Sequence, residues 1–589
     1  MSGEPFKPTS QQRDVICHDG SAFIVACPGA GKTRVMTERA RRLFRRIPRG
    51  RGVAFLSFTH AAVFELETRL RQAGILPDPI FPNFIGTFDS FVWQYLVAPF
   101  GVEESDERPR LIADMSDLAV VPFENAHPLP LSCFCPQTGV VFEKAAKIKG
   151  FDVSTKPAHQ IQTYSTAAIG IRAGMRQRGQ LGFDEARGVA LDRLKTQALA
   201  GRIALALSGR FQEIIVDEAQ DCNPDDLTII SWLRDSGLPV KTVCDPHQSI
   251  YEFRGGVTDH LFAFADTFDP KERKELTGNF RSSPSICKAI SQFRPSAMRG
   301  VPDTPLGPLK DEPTPVHILS YKGSGVPASI GTTSCALLQQ AKIDVSLSPV
   351  IAATKASGAA AAGQPRPSNR RDRSILLAEA VTDFHFASGF SDMKSAIDRM
   401  HRILLDLEGR LGDRSYHQYL VDNEIELVSW RPKVISVLRA LRYDPSRYAD
   451  ARAWHTAAKD LLSRELTIED GRSISQKLRW NDALGAALAA VPSDTAMPRT
   501  IHSVKGMEYP AVCVVTTAKT LKSILDFLET GEPQDMAEDA RKLYVATSRA
   551  QKLLVIASPR SQADRLGTHL RGQDAEVTIT EITDHPNPP

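Results

Sequence analysis

The chain has 589 residues, 42% of them apolar and 24% charged, which is enough for several globular domains and excludes wholesale disorder. Lysine and arginine number 72 against 69 acidic residues, a net charge of +3, so any nucleic-acid surface must come from local placement rather than bulk charge. No apolar run approaches the ~20 residues that a membrane span needs, Met1 to Gln12 is polar with no signal-peptide core, and nine scattered cysteines argue against a disulfide framework. These features point to a soluble protein of a reducing compartment, the cytoplasm. Cys133 and Cys135 have no second pair or histidine at zinc spacing and read as ordinary buried thiols.

Phe23 to Ala26 reads as a short buried strand, and Arg34 to Ala40 has helical character. Between them lies Cys27-Pro28-Gly29-Ala30-Gly31-Lys32-Thr33, the glycine-rich turn that makes this stretch a P-loop candidate. Small residues let backbone N–H groups close around phosphates, and the helix N-terminus adds partial positive charge. Lys32 is then expected to reach the β- and γ-phosphates of a nucleotide, and the Thr33 hydroxyl to hold Mg²⁺. Ala26 stands where the usual pattern has its first glycine.

Leu111 to Val153 has short β-like runs such as Val140 to Phe142, and a helical stretch follows. There Arg172, Arg176 and Arg178 are either nucleic-acid backbone contacts or solvated helix charges. Phe211 to Val216 is an apolar strand that ends in Asp217-Glu218-Ala219-Gln220-Asp221. Adjacent carboxylates at a strand end suit a Mg²⁺ partner, assigned to Asp217, and a residue that orients or deprotonates water, assigned to Glu218. Further on, Pro302 to Pro315 reads as an extended surface loop, Val316 to Leu319 and Ser348 to Ala353 as strands, and Ala359 to Ala362 as helix. Gln364 to Ser374, with two prolines and four arginines, reads as a boundary. Beyond it Ile397, Met400, Ile403, Leu404 and Leu407 recur at helical spacing.

Taken in order, these motifs resemble the UvrD/Rep-type DNA helicases of superfamily 1. Gln12 precedes the P-loop where that family has an adenine-reading glutamine. Ser57 to Ala62, with Phe58, Thr59 and His60, is similar to its first DNA-contact motif, and Gly86 to Phe91, with Thr87 and Phe88, to its second. Asp217 to Asp221 matches its Walker B form. Asp245 to Gly255, with Gln248, Tyr251, Phe253 and Arg254, resembles its coupling motif, and Asn279 to Ser283, with Phe280 and Arg281, its first arginine motif. Thr500 to Tyr509, with His502 and Glu508, and Arg541 to Ala550, with Arg549, match the last two. Ala61, Asp89, Cys244 and Phe280 stand where the family usually has Lys, His, Gly and Tyr; none of them removes a catalytic group.

The resemblance implies a role for each position. Gln248 senses the γ-phosphate, Phe280 and Arg34 sandwich adenine, Glu508 meets the ribose, and the backbone from Ala26 to Thr33, including Pro28 and Ala30, cradles phosphate. Arg281 and Arg549 lie far from Lys32 in sequence and are expected to face it from a second lobe, where an arginine finger can supply roughly 10³–10⁵ in rate. Tyr251, Phe253 and Arg254 suit single-stranded DNA, because base stacking tolerates any sequence. Taken alone, Phe58 reads as strand core in preference to a DNA contact, and lone histidines such as His60 and His502 are more often structural than DNA contacts.

The implied fold is α/β: two RecA-like P-loop domains, parallel sheets flanked by helices, each with an inserted accessory subdomain, the second mainly helical. Residues 1–98 and 207–270 form domain 1A, 99–206 subdomain 1B, 271–370 and 495–589 domain 2A, and 371–494 a short 2B-like subdomain. The second lobe opens near Leu276, and no nuclease domain is expected after Ile579. The implied activity is an ATP- and Mg²⁺-dependent translocase or helicase on single-stranded or tailed duplex DNA, with 3′→5′ polarity. The alternatives are an ATP-gated DNA-binding switch, or a helicase subunit paired with a nuclease in anti-phage defence of the Gabija kind.

Overall fold

The computed structural model describes residues 6–582 apart from 47–49, 104, 113–114, 116–117, 251–257, 297–298, 301, 324, 365–371, 387–389, 412–415, 417–418, 421–422, 424, 426 and 490–495. The chain forms two compact units, one of Met1–Phe91, Arg193–Pro367 and Val491–Pro589, the other of Val92–Asp192 and Ser368–Ala490.

The first unit contains two six-stranded sheets, both wholly parallel. The strands of the first are β1 (Ala22–Ala26), β2 (Gly52–Ser57), β3 (Phe84–Thr87), β4 (Phe211–Val216), β5 (Val240–Cys244) and β6 (Arg273–Leu276), in the order β6-β1-β5-β4-β2-β3. Their near-continuous apolar runs fit strands covered by helices on both faces. The exception is β6, Arg273-Lys274-Glu275-Leu276, whose charges are tolerated because it is an edge strand pairing only with β1. This corrects the expectation that the second lobe opens here: Leu276 lies opposite Ala26 and closes the first sheet beside the P-loop.

The second sheet comprises β7 (Val316–Tyr321), β8 (Val350–Ala352), β9 (Pro498–Thr500), β10 (Tyr509–Val515), β11 (Ala550–Pro559) and β12 (Val577–Glu581), in the order β9-β8-β10-β11-β7-β12. β7 and β8 fall on the runs read as strands, and Lys355–Ala361 is helical. The proline-rich segment is irregular apart from Thr304–Pro305, which pairs with Gly278–Asn279. Two core clusters cover this sheet, one on Val316, Ile318, Val512 and Val514, the other on Leu319, Val350, Cys513 and Val555, as alternation along each strand requires.

Helices α1 (Ser10–Cys17), α2 (Lys32–Phe44) and α3 (His60–Gln72) flank the first sheet. α1 starts in a capping box, with Thr9 and Gln12 each bonding the other's backbone N–H. α2 is fastened by a buried ion pair: Arg39 Nε and Nη2 donate to Glu213 Oε1 and Oε2 on β4 at 3.0 and 2.6 Å, and Nη1 donates to the Ile16 carbonyl at 2.9 Å. Both side chains are 2% exposed.

In the second unit, residues 92–192 hold two-residue strand pairs, Arg110–Leu111 with Gln180–Leu181 and Ala119–Val120 with Leu129–Pro130, and helices over Ala158–Gln177 and Phe183–Lys195. The run Val140 to Phe142 makes only an isolated bridge, Phe134 to Val141. Arg172 is a buried structural knot rather than an outward contact. It donates to Glu185 at 2.6 Å and to the Leu131, Phe134 and Cys135 carbonyls, while Arg176 is half-buried and Arg178 exposed. Residues 372–489 pack helices Arg373–His385, Phe390–Glu408, Leu427–Ala440 and Ala451–Glu465 around Met400, Leu404, Leu407 and Trp454, so the helical stripe is core. Of the boundary at Gln364 to Ser374, residues 365–371 lie outside the described residues; Asp372 caps the helix that follows. All nine cysteines are free, and among the described residues no helix is long and apolar enough to cross a membrane.

Replacing Arg39 with Met is expected to cost about 3 kcal/mol, because Glu213 keeps its charge without its guanidinium partner. Urea denaturation is the measurement, and the double variant Arg39→Met/Glu213→Leu should recover most of the loss.

Candidate nucleotide and nucleic-acid site

The P-loop turn leaves β1 at Ala26 and enters α2 at Lys32, with Gly29 and Gly31 in the left-handed region at φ +70° and +73°. The Gly29 carbonyl accepts from Phe280 N at 2.8 Å. A Cβ on Gly29 would lie 2.6 Å from both Arg281 Cβ and Asn279 Oδ1. The first arginine motif, at Asn279 to Arg281, is therefore pressed onto the turn, and glycine is what permits it. Gln12 is buried and donates to the Ala30 carbonyl at 3.1 Å, so it reaches the turn as expected.

Three carboxylates surround Lys32. Burial alone would lower its pKa, but Glu218, Asp245 and Asp217 raise it above the usual lysine value. Burial, together with the Glu218 charge, pushes Asp217 up; Glu218 is pulled down against its own burial by Lys32 and Lys505. Asp217 Oδ1 accepts from Glu218 N at 2.9 Å. Glu218 has φ +58° and ψ 38°, a left-handed backbone that a non-glycine residue adopts at a cost of about 1–2 kcal/mol.

From Glu218 a hydrogen-bonded path crosses to the second sheet. Gln220 Nε2 donates to Glu218 Oε2, Gln220 Oε1 accepts from Asp245 N at 3.0 Å, and Gln248 Nε2 donates to Asp245 Oδ2 at 2.8 Å. Gln248 Oε1 then accepts from Arg549 Nη2 at 2.7 Å. Burial and the nearby Arg281 lower Arg549 to about 10, and it lies close enough to act electrostatically on Lys32 and Glu218. Arg281 donates to Glu508 Oε1 at 2.6 Å and to the Ser548 carbonyl at 2.9 Å. A parallel crossing joins Lys505 Nζ to both Asp221 oxygens at 2.6 Å and to the Gln248 carbonyl at 3.1 Å.

Several donors here suit a polyphosphate. Lys32 makes no hydrogen bond or ion pair among the described residues, and Arg281 Nε and Asn279 Nδ2 are buried without hydrogen-bond partners beside the P-loop turn. The Thr33 hydroxyl and Asp217 are the groups suited to a divalent cation accompanying it.

The adenine side differs from expectation. The Arg34 guanidinium lies 4.9 Å from the ring centroid of Phe6, so its aromatic partner is Phe6, while Phe280 is half-buried beside Gly278. Phe6 sits alone in a polar N-terminal stretch and carries no periodic signal. Asp221 and Lys505 were also missed as a pair; opposite charges inside two motifs were the available clue.

The nucleic-acid candidates gather at carboxyl ends of strands, where ligands of parallel sheets commonly bind. Phe58, half-buried, follows β2, and its ring stacks on Phe88 with centroids 5.4 Å apart and planes 17° apart. Phe88 is fully buried, so it offers no open face and supports Phe58 instead. Thr87 is likewise turned inward, its hydroxyl 2.7 Å from Ser90 Oγ. Thr59 caps α3 by accepting from Ala62 N at 3.2 Å. His60 and His502, which follows β9, are exposed. Tyr251, Phe253 and Arg254 lie outside the described residues.

Two parallel sheets, one bearing a P-loop with a carboxylate pair and the other supplying arginines, define a two-lobed RecA-like P-loop protein. The family model for the UvrD/REP helicase N-terminal domain matches residues 8–269, and that for the UvrD-like helicase C-terminal domain matches residues 497–561. The chain belongs to the UvrD/Rep-type DNA helicase family. It is 27% identical over 308 residues to ATP-dependent DNA helicase UvrD1 of Mycobacterium tuberculosis, a match covering 48% of this chain and 38% of that protein. It is 25% identical over 300 residues to ATP-dependent DNA helicase PcrA of Staphylococcus epidermidis (48% and 39%), and 25% identical over 279 residues to Gabija protein GajB of Bacillus cereus (47% of each). The chain thus spans less than half the length of these relatives.

Gly29→Ala is expected to force the Asn279–Arg281 segment off the turn and weaken ATP binding by about tenfold or more, the sum of left-handed strain and the steric shift. Titration calorimetry with a non-hydrolysable ATP analogue checks this; unchanged affinity would show that the close approach has no bearing on the site.

Proposed function

We propose that the chain is an ATP-driven motor on single-stranded DNA, cleaving ATP between its RecA-like lobes and moving 3′→5′ along the strand. The observation that carries this reading is the bonded path from Glu218 through Gln220, Asp245 and Gln248 to Arg549, which ties the carboxylates of one sheet to a guanidinium of the other.

Bound ATP·Mg²⁺ supplies the transferable phosphoryl group and the negative charge these donors would meet. Lys32 and the backbone from Ala26 to Thr33 hold the phosphates; Thr33 and Asp217 hold the metal. Glu218, kept ionised by Lys32 and Lys505, orients the attacking water and accepts its proton. Arg549 and Arg281 stabilise charge on the phosphoryl oxygens, Arg281 by turning from Glu508, which is then released toward the ribose. Gln12 reads the base at the edge of the turn, with Arg34, Phe6 and Phe280 around it. Gln248 bonds both Asp245 and Arg549, so a change at the phosphates alters the bond between lobes, the kind of local switch that can drive a hinge. In this reading residues 99–206 and 371–494 are accessory subdomains, and Phe58 over Phe88 is a stacking platform, with Thr59, His60 and His502 beside the strand and Tyr251, Phe253 and Arg254 added by the coupling motif.

A second reading, a helicase subunit acting with a nuclease in anti-phage defence, draws on the similarity to Gabija protein GajB.

Lys32→Ala and Glu218→Gln are expected to abolish DNA-stimulated ATPase, and Arg281→Ala or Arg549→Ala to lower kcat by about 10³ or more. Duplexes with a 3′ tail should open and those with a 5′ tail should not. Robust ATPase with neither substrate opened would favour the partner-dependent reading. Phe58→Ala should weaken single-strand affinity by roughly 5- to 30-fold, measured by fluorescence anisotropy at fixed salt.

A further inference from the structure

Behind the P-loop runs a second polar chain that the scheme above leaves unused. Helix α4 (Pro284–Gln292) ends just before Arg294, and Asp303 precedes the short strand Thr304–Pro305. Both side chains are buried, at 8% and 4% exposed. Arg294 Nη2 donates to the two Asp303 oxygens at 2.6 and 2.8 Å and to Tyr544 Oη at 3.3 Å, and its guanidinium carbon lies 5.6 Å from the Tyr544 ring centroid. Tyr544, fully buried in helix α5 (Ala537–Thr547), donates to Asp245 Oδ2 at 3.3 Å. At the other end, Asp303 leads into Thr304–Pro305, which pairs with Gly278–Asn279, and Asn279 lies against Gly29 of the P-loop turn.

The chain therefore starts at Asp303, beside the segment that lies on the P-loop turn, and passes through Arg294 and Tyr544 to Asp245. There it joins the path to Glu218 on one side and Gln248 on the other. Arg549 follows α5 directly, and Gln248 lies one short turn beyond Asp245. Holding Tyr544 against Asp245 thus sets the separation of Arg549 and Gln248. A guanidinium suits the junction because its Nη2 bonds the carboxylate while the planar group lies over the Tyr544 ring, a contact that a point-like ammonium reproduces poorly. If the pair served only to hold α4 to the loop after it, the Tyr544 contact would be idle.

We propose that Arg294 and Asp303 are positioning residues for ATP cleavage, tying the segment that lies on the P-loop turn at Gly29 to Tyr544 and Asp245 and thereby holding Arg549 against Gln248. This rests on the hydrolysis reading above.

The test uses the full chain with Arg294→Lys, Tyr544→Phe and the double variant. In amide hydrogen exchange without nucleotide, Arg294→Lys should speed exchange in peptides covering Cys27–Lys32 and Asp245–Gln248 as well as in 290–305. Faster exchange confined to 290–305 overturns the proposal. In ATPase assays normalised to nucleotide-binding sites, each single variant should lower kcat by roughly 3- to 30-fold with the ATP KM within about twofold, and the double should add little. A lowered Tm with unchanged kcat per site also overturns it. Should the unsubstituted protein lack ATPase activity, the hydrolysis reading falls, while the exchange result still decides whether the bridge exists. Tyr544→Phe, which removes one oxygen only, decides the matter if Arg294→Lys does not fold.

Discussion

The structure depends on interleaving opposite charges at the meeting of two sheets. Asp217, Glu218, Asp221 and Asp245 come from the first, and Arg549 and Lys505 from the second, with Lys32 at the head of α2 between them. Carboxylates crowded at buried strand ends repel one another and lose hydration; cations from across the cleft offset both costs. Lys505 on Asp221 and Arg549 on Gln248 accordingly make the lobe contact part of the site's own electrostatics. Anything that changes the charge on the cradle must change how the lobes hold each other. That link is why a chemical site at this place can act as a mechanical one.

The parallel sheets explain where the remaining candidates fall. In each, the strand ends that carry motif residues point the same way, so Phe58, Thr87 and His502 emerge at carboxyl edges. Phe58 stacks on Phe88, whose ring is kept dry, and under the proposed function that pair is the face on which any base could stack. The buried ring backs the half-buried one, a division of labour that two aromatic residues placed at the ends of neighbouring strands allow.

Much of this was legible in the residues. Strand, turn and helix around Lys32, the carboxylate pair after β4, and the buried helical stripe from Ile397 to Leu407 all follow from local pattern, because small residues, apolar runs and helical spacing impose their geometry within a few positions. Phe88 and Arg172 were misread for a shared reason. An aromatic or a cation at a motif or helix position has two faces available, and only packing decides which is turned inward. Arg34's partner was misread because Phe6 is distant from any pattern, and β6 because a charged run is a poor strand signal until an edge position excuses it.

What the sequence by itself determined is the chemistry each segment carries: a phosphate-cradling turn, paired carboxylates and two arginine motifs in an order that resembles one helicase family. Only the tertiary structure decided which of these groups touch, that Asp245 is the node joining Glu218, Gln248 and Tyr544, and that Gly29 lies against Arg281. The reason is physical: backbone preferences act over a few residues, whereas a hydrogen bond between positions 248 and 549 exists only once two sheets have buried their apolar faces and brought those side chains within 3 Å.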